Sequence, residues 1–115
     1  MGKNKEAHNI YSQAGTRNAK ENFFRACKEG KVSAQNRDLL LQFIEDRAQD
    51  KDWAETTVAK YYYDFGSIIT LLPKKLDKTT EKQLRSSMKA IKDGDWKEST
   101  KDDYTKKVKT FYKWF

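Results

Sequence analysis

Side chains that carry covalent or acid–base chemistry are scarce in this sequence. It holds one histidine (His8), one cysteine (Cys27) and six tyrosines. A nucleophile needs a base beside it and a positive cradle. His8 falls in a polar leading segment, Cys27 shares an apolar stripe with Phe23 and Phe24, and most of the tyrosines fall on apolar helical faces. No Gly-rich phosphate loop occurs. One His and one Cys do not make a usual structural zinc site. The expectation is a chain without a catalytic centre, metal or cofactor. What it holds in quantity is charge: 24 Lys and Arg against 17 Asp and Glu, a net charge of +7 over 115 residues. Such a balance suits an acidic partner, whether nucleic acid, an anionic membrane or an acidic protein.

The elements that would position this charge are helical. One proline and five glycines leave little turn punctuation, which argues against many short strands. Residues 1 to 18 are polar without periodicity and are expected to form a flexible arm. Ala19, Phe23, Phe24, Ala26 and Cys27 make a short helical stripe that Gly30 can stop. Ser33 can cap a helix carrying Leu39, Leu40, Phe43 and Ile44. Val58, Tyr61, Tyr62, Phe65, Ile69 and Leu72 line a longer face that Pro73 ends. Thr79 or Thr80 opens a further helix with Leu84, Met88 and Ile91, closed by Gly94. Tyr104, Val108, Phe111, Tyr112 and Phe115 mark the last. The fold expected is all-α: a compact bundle of four main helices in two hairpins, preceded by a short helix. Residues 19–115 form the domain. The apolar stripes are its core.

The longest apolar run, Ile68 to Leu72, contains Thr70 and is too short to span a bilayer. The N-terminal MGKNKEAHN has no apolar stretch behind its charges, unlike a signal peptide. A single cysteine cannot form an internal disulfide, so a reducing cytoplasm is the expected setting.

Two stretches match at an offset of 43 residues: Asp50-Lys-Asp-Trp53-Ala-Glu-Thr-Thr57-Val-Ala-Lys-Tyr61 and Asp93-Gly-Asp-Trp96-Lys-Glu-Ser-Thr100-Lys-Asp-Asp-Tyr104. They share Asp-x-Asp-Trp-x-Glu-[Thr/Ser]-Thr-x-x-x-Tyr. Asp52 and Asp95 could accept a hydrogen bond from the first amides of the following helix, with Glu55 and Glu98 returning it as in a capping box. Trp53 and Trp96 could fold over the first turn. Tyr61 and Tyr104 lie one turn beyond Thr57 and Thr100, on the same face. Two hairpins of similar design, packed together, are expected.

With this repeat the chain resembles the core-binding domain of tyrosine recombinases, the phage-type integrases, a SAM-like helical unit; several archaeal members carry a similar lead-in. That family's second and fourth helices begin with an apolar-Ser-x-x-Thr pattern, and the fourth ends in Phe-aromatic-x-aromatic. The matching stretches are Trp53 to Tyr61, Trp96 to Tyr104, Lys109-Thr-Phe111-Tyr112-Lys-Trp114-Phe115, and the lead-in Lys28 to Arg37. Together they cover about Ala19 to Phe115. Ala54 and Lys97 stand where the family has Ser, so Asp52 and Asp95 would do the capping. The family's catalytic domain would follow the fourth helix, and no His or Arg occurs after Arg85 to supply its catalytic roles.

The resemblance implies a module that clamps duplex DNA for integration or recombination performed elsewhere in a longer protein, with recombinase protomers assembling on paired sites and the isolated fragment monomeric. It also implies where DNA would be met, on the helices that begin the two repeats. The residues so implied are Thr56, Thr57 and Lys60 on one, and Ser99, Thr100, Lys101, Lys106, Lys107 and Lys109 on the other. Residues 96 to 115 hold six Lys against one Glu and two Asp. Lysine neutralises phosphate and releases counterions, and short hydroxyl side chains touch the DNA backbone or base edges. Two other readings fit the charge. A helical adaptor for an acidic or amphipathic protein would show an exposed apolar groove and salt-tolerant binding. A membrane-surface protein needs a helix with a wide Lys face and an exposed apolar face, and the last helix, the one candidate, should spend its apolar side on the core.

Overall fold

A computed structural model describes the backbone from Gly2 to Phe115 and the side chains from Gly15 onward. The elements are α1 (Gly2–Glu29), α2 (Ala34–Asp50), α3 (Glu55–Ile68), α4 (Glu81–Asp93) and α5 (Glu98–Trp114). Short 3-10 turns at Ile69–Leu71 and Leu76–Lys78 link α3 to α4. No strand occurs among the described residues. The all-helical expectation holds, with α2–α3 and α4–α5 as the two hairpins.

α1 begins well before Ala19. Thr16 lies on it, and its hydroxyl donates to the Glu55 carbonyl at 3.1 Å. That stretch is tied to α3 by a polar contact, so an apolar stripe could not reveal it. The remainder of the expected arm, with Lys3, Lys5 and His8, lies outside the residues with described side chains. α1 runs alongside α3: Phe23 packs on Tyr62 with ring centroids 5.7 Å apart. Further along, a Cβ on Gly30 would come within 2.6 Å of the Thr70 methyl. Gly30 therefore permits close approach; the left-handed residue that closes α1 is Lys31, at φ 55°. There the Val32 amide donates back to the Cys27 carbonyl at 2.9 Å, a Schellman-type stop.

The core gathers one buried layer from every helix: Ala19, Phe23 and Cys27 from α1, Leu40, Phe43 and Ile44 from α2, Tyr62, Phe65 and Ile68 from α3, Ile91 from α4, and Tyr104, Val108 and Phe111 from α5. Phe43 stands where α2, α3 and α5 meet. Its ring lies 5.4 to 6.0 Å from those of Tyr61, Phe65, Phe111 and Trp114, each edge-on, the favoured geometry for aromatic quadrupoles.

The caps divide the helices into two pairs. Ser33 accepts from the Asn36 amide and starts α2 as expected. Thr80 and Gln83 form a full capping box on α4, while Thr79 bonds the Tyr112 hydroxyl at 2.7 Å and ties the ends of α4 and α5 together. α3 and α5 start at Ala54 and Lys97 with no side-chain cap. The capping boxes expected from Asp52/Glu55 and Asp95/Glu98 do not form. Asp52 has φ 49°, and the Trp53 amide beyond it donates to the Ala48 carbonyl at 3.0 Å. Asp52 is thus spent on closing α2 and cannot also open α3. In the second copy Gly94 takes an extended conformation, and a Cβ there would fall 2.2 Å from the Trp96 ring. The glycine makes room for that ring.

α3 stops at Ile68, short of the Leu72 end expected from the apolar spacing. Ile68 leaves helical geometry at φ −116°, ψ 3°, and the chain tightens into a 3-10 turn before Pro73. Asn36, buried on α2, pins the connection from Pro73 to Leu76. Its amide donates to the carbonyls of Pro73 (3.1 Å) and Lys74 (2.9 Å), and its oxygen accepts from the Leu76 amide (3.0 Å).

Candidate functional site

The two repeats meet at equivalent positions. Lys60 reaches Asp103 at 3.8 Å, and Asp64 reaches Lys107 at 2.9 Å. In both pairs the partners are 43 residues apart, the repeat offset, with the charges reversed. The repeated tryptophans also act alike. Trp53 stacks on Tyr61 with centroids 4.3 Å apart, and Trp96 packs edge-on to Tyr104 at 5.1 Å. The repeat therefore builds a Trp–Tyr clasp at the head of α3 and of α5, and an ionic seam between the helices.

This seam sorts the residues singled out from sequence. Lys107 is a correction: its side chain is about 10% exposed, its ammonium meets Asp64, and it sits 4.9 Å from the centre of the Tyr61 ring. The Lys107–Asp64 contact is an ion pair without a well-angled hydrogen bond. A buried ammonium committed to an internal carboxylate is not offered to a phosphate. Lys60 is exposed but shared between Asp64 (3.7 Å) and Asp103. Lys101 lies 3.6 Å from Glu98, with its own side chain largely covered. Thr57 and Thr100 are half-buried, whereas Thr56 and Ser99 are exposed on the first turns.

What remains is a stripe on the outer face of α5. Ser99, Lys106 and Lys109 are exposed, and Lys113, not singled out from sequence, continues their line. Steps of seven, three and four residues keep these positions on one helical face. None of the three lysines has a carboxylate within ion-pair distance among the described residues. Lys113 is the next position of the same periodicity, but it falls inside the aromatic run that ends the helix, which masks the signal.

Burial favours the protonated form of Cys27 and of three tyrosines. Burial pushes the Cys27 thiol up to about 11, opposed weakly by Arg37, and the Tyr62 phenol up to about 12. Burial also raises Tyr61 and Tyr112, opposed by hydrogen bonds with Thr110 and Thr79 respectively. For Cys27 the ordinary value is 9.0, so the folded state holds its proton more tightly than the unfolded chain does. The stability this supplies is complete below pH 9 and is lost between about pH 9 and 11. The native thiol should therefore resist a disulfide reagent at pH 8 and react at once in denaturant, and unfolding midpoints should fall from pH 9 to 11. Cys27→Ala should blunt that fall.

Among the described residues, no group of three or more His, Cys, Asp or Glu is placed to hold a metal ion, and no helix is long and apolar enough to cross a membrane. Compared with known proteins, the chain matches no family model, no curated protein and no solved structure.

Proposed function

We propose that this chain is a DNA-binding module, of the kind that grips duplex DNA for a tyrosine recombinase while a catalytic domain outside the chain performs strand transfer. The observation that carries this reading is the outer face of α5, where Lys106, Lys109 and Lys113 stand exposed without internal counter-charges and Ser99 heads the row. Ammonium groups spaced along one helix face can follow a phosphate backbone. The pairing of two similar hairpins through their repeats is consistent with the same resemblance. The module would work in the cytoplasm, alongside other protomers in the full-length protein, and needs no cofactor.

Fluorescence anisotropy of labelled duplex and single-stranded DNA across a salt series tests it. Duplex binding should exceed single-strand binding and fall as salt rises, with a log–log slope near −0.9 for each phosphate neutralised. At physiological salt a dissociation constant of roughly 1–100 μM is expected for contact with little sequence preference. Absence of duplex binding at low salt would overturn the reading. Salt-tolerant binding to a protein would move the function to an adaptor for an acidic or amphipathic partner.

A further inference from the structure

The positive charge left unpaired by the fold is not confined to α5. Residues 74 to 85, linking α3 to α4 and entering α4, carry five basic side chains and two acidic ones. Both acids are engaged: Asp77 accepts from the Gln35 amide at 3.2 Å, and Glu81 binds Arg85 at 2.6 Å. Lys74, Lys75, Lys78 and Lys82 are all exposed. Lys31 joins them from the end of α1. It shares with Lys74 the rim of a cleft of about 310 Å³, and Lys74 shares a neighbouring cleft with Lys82. None of these five lysines has a carboxylate within ion-pair distance among the described residues. Lys60, Lys101 and Lys107, by contrast, are each neutralised by neighbours on α3 or α5.

The connection is also held in place. Asn36 fixes the carbonyls of Pro73 and Lys74 and the amide of Leu76. Thr79 bonds the Leu76 carbonyl and the Tyr112 hydroxyl. Leu76 is itself buried, anchoring the centre of the segment while its lysine neighbours point out. A basic loop that is already ordered loses less conformational freedom on binding than a free one does.

We infer that the α3–α4 connection is a second phosphate-contact surface, in which Lys74, Lys75 and Lys78, flanked by Lys31 and Lys82, meet the sugar–phosphate backbone of DNA, and that Asn36 is its positioning residue. This rests on the reading of the chain as a DNA-binding module and adds a contact surface outside α3 and α5, the helices that begin the repeats. Because these are phosphate contacts, they supply affinity and register rather than base discrimination.

The test uses the full chain with Lys74, Lys75 and Lys78 all changed to Gln, beside a second variant with Lys106, Lys109 and Lys113 changed to Gln. Duplex affinity is measured across salt. The connection variant should keep its thermal midpoint, bind at least about tenfold more weakly at low salt, and lose about 0.9 of salt slope per contact removed. Asn36→Ala, assayed below its own thermal midpoint, keeps every lysine. It should weaken binding while leaving the salt slope nearly unchanged, because position and not charge has been altered. If wild-type protein binds duplex and the connection variant matches it in affinity and slope, this surface is overturned while the DNA reading stands. If the wild-type protein does not bind duplex, both fall. If Asn36→Ala binds like wild type, the positioning role is removed.

Discussion

Replacing Phe43 by alanine should cost about 3–5 kcal/mol of unfolding free energy, read as a drop in the urea midpoint at unchanged slope. Phe43 is fully buried and touches aromatic rings from α3 and α5 at once. Its removal forfeits the transfer free energy of the ring, the edge-on contacts and the packing of the cavity left behind. The neighbours cannot readily close that cavity, because Tyr61 is already stacked on Trp53 and Phe111 lies against Tyr112. Against a total stability of roughly 5–15 kcal/mol for a domain, the variant should sit near the edge of folding. Phe115, 55% exposed, is the control: Phe115→Ala should cost about 1 kcal/mol or less. Similar losses from both variants would mean that Phe43 does not hold α2 against α3 and α5.

Much of this architecture could be read from spacing. Phe43, Phe65, Val108 and Phe111 announce their burial through helical periodicity, and Ser33, Thr80 and Gly94 mark helix ends through local chemistry that is independent of the rest of the fold. The misplaced features depend either on contacts distant in sequence or on which of two local uses the backbone takes at a junction. Thr16 is fastened by the Glu55 carbonyl, 39 residues away, and no local pattern signals such a bond. Asp52 had two possible uses at the α2–α3 junction, opening one helix or closing the other, and sequence cannot rank them. Gly30 looked like the residue that terminates α1, yet Lys31 takes the left-handed turn while Gly30 yields space to Thr70.

The lysines were harder to place than the apolar residues for a physical reason. An apolar residue has one favourable destination, whereas an ammonium is satisfied by water, by a carboxylate or by a phosphate. Lys106 and Lys107 are adjacent in sequence and lie about 100° apart around the helix, so one faces solvent and the other Asp64. The repeat did contain the clue. Lys60 and Asp103 share one register position and Asp64 and Lys107 share the next, which is the pattern of two copies meeting through equivalent, oppositely charged positions. In the connection between α3 and α4, Pro73 signals a helix stop, but the lysine run carries no signal of its own, because flexible loops often hold charge. The hydrogen bonds of Asn36 and Thr79 and the burial of Leu76 distinguish a pinned basic loop from a solvated one.

The ionic seam offers the second large effect. Lys107→Met should destabilise the protein by about 3–5 kcal/mol, the usual consequence of leaving one member of a buried pair uncompensated. The lower end of that range is expected, because Lys60 stands 3.7 Å from Asp64 and can supply partial compensation from its more exposed position. Asp64→Leu should cost at least as much, since the buried Lys107 ammonium would keep only the face of Tyr61. The double variant, Asp64→Leu with Lys107→Met, should recover most of the loss or exceed wild-type stability, because neither charge then has to be desolvated. Urea unfolding of the four proteins gives the coupling energy directly. Additive losses would show that the pair does not interact. The same set of proteins bears on DNA contact. With Lys107 facing Asp64, the proposed duplex binding should keep the wild-type salt slope in the double variant, whereas a slope lowered by about 0.9 would return Lys107 to the proposed phosphate-contact surface.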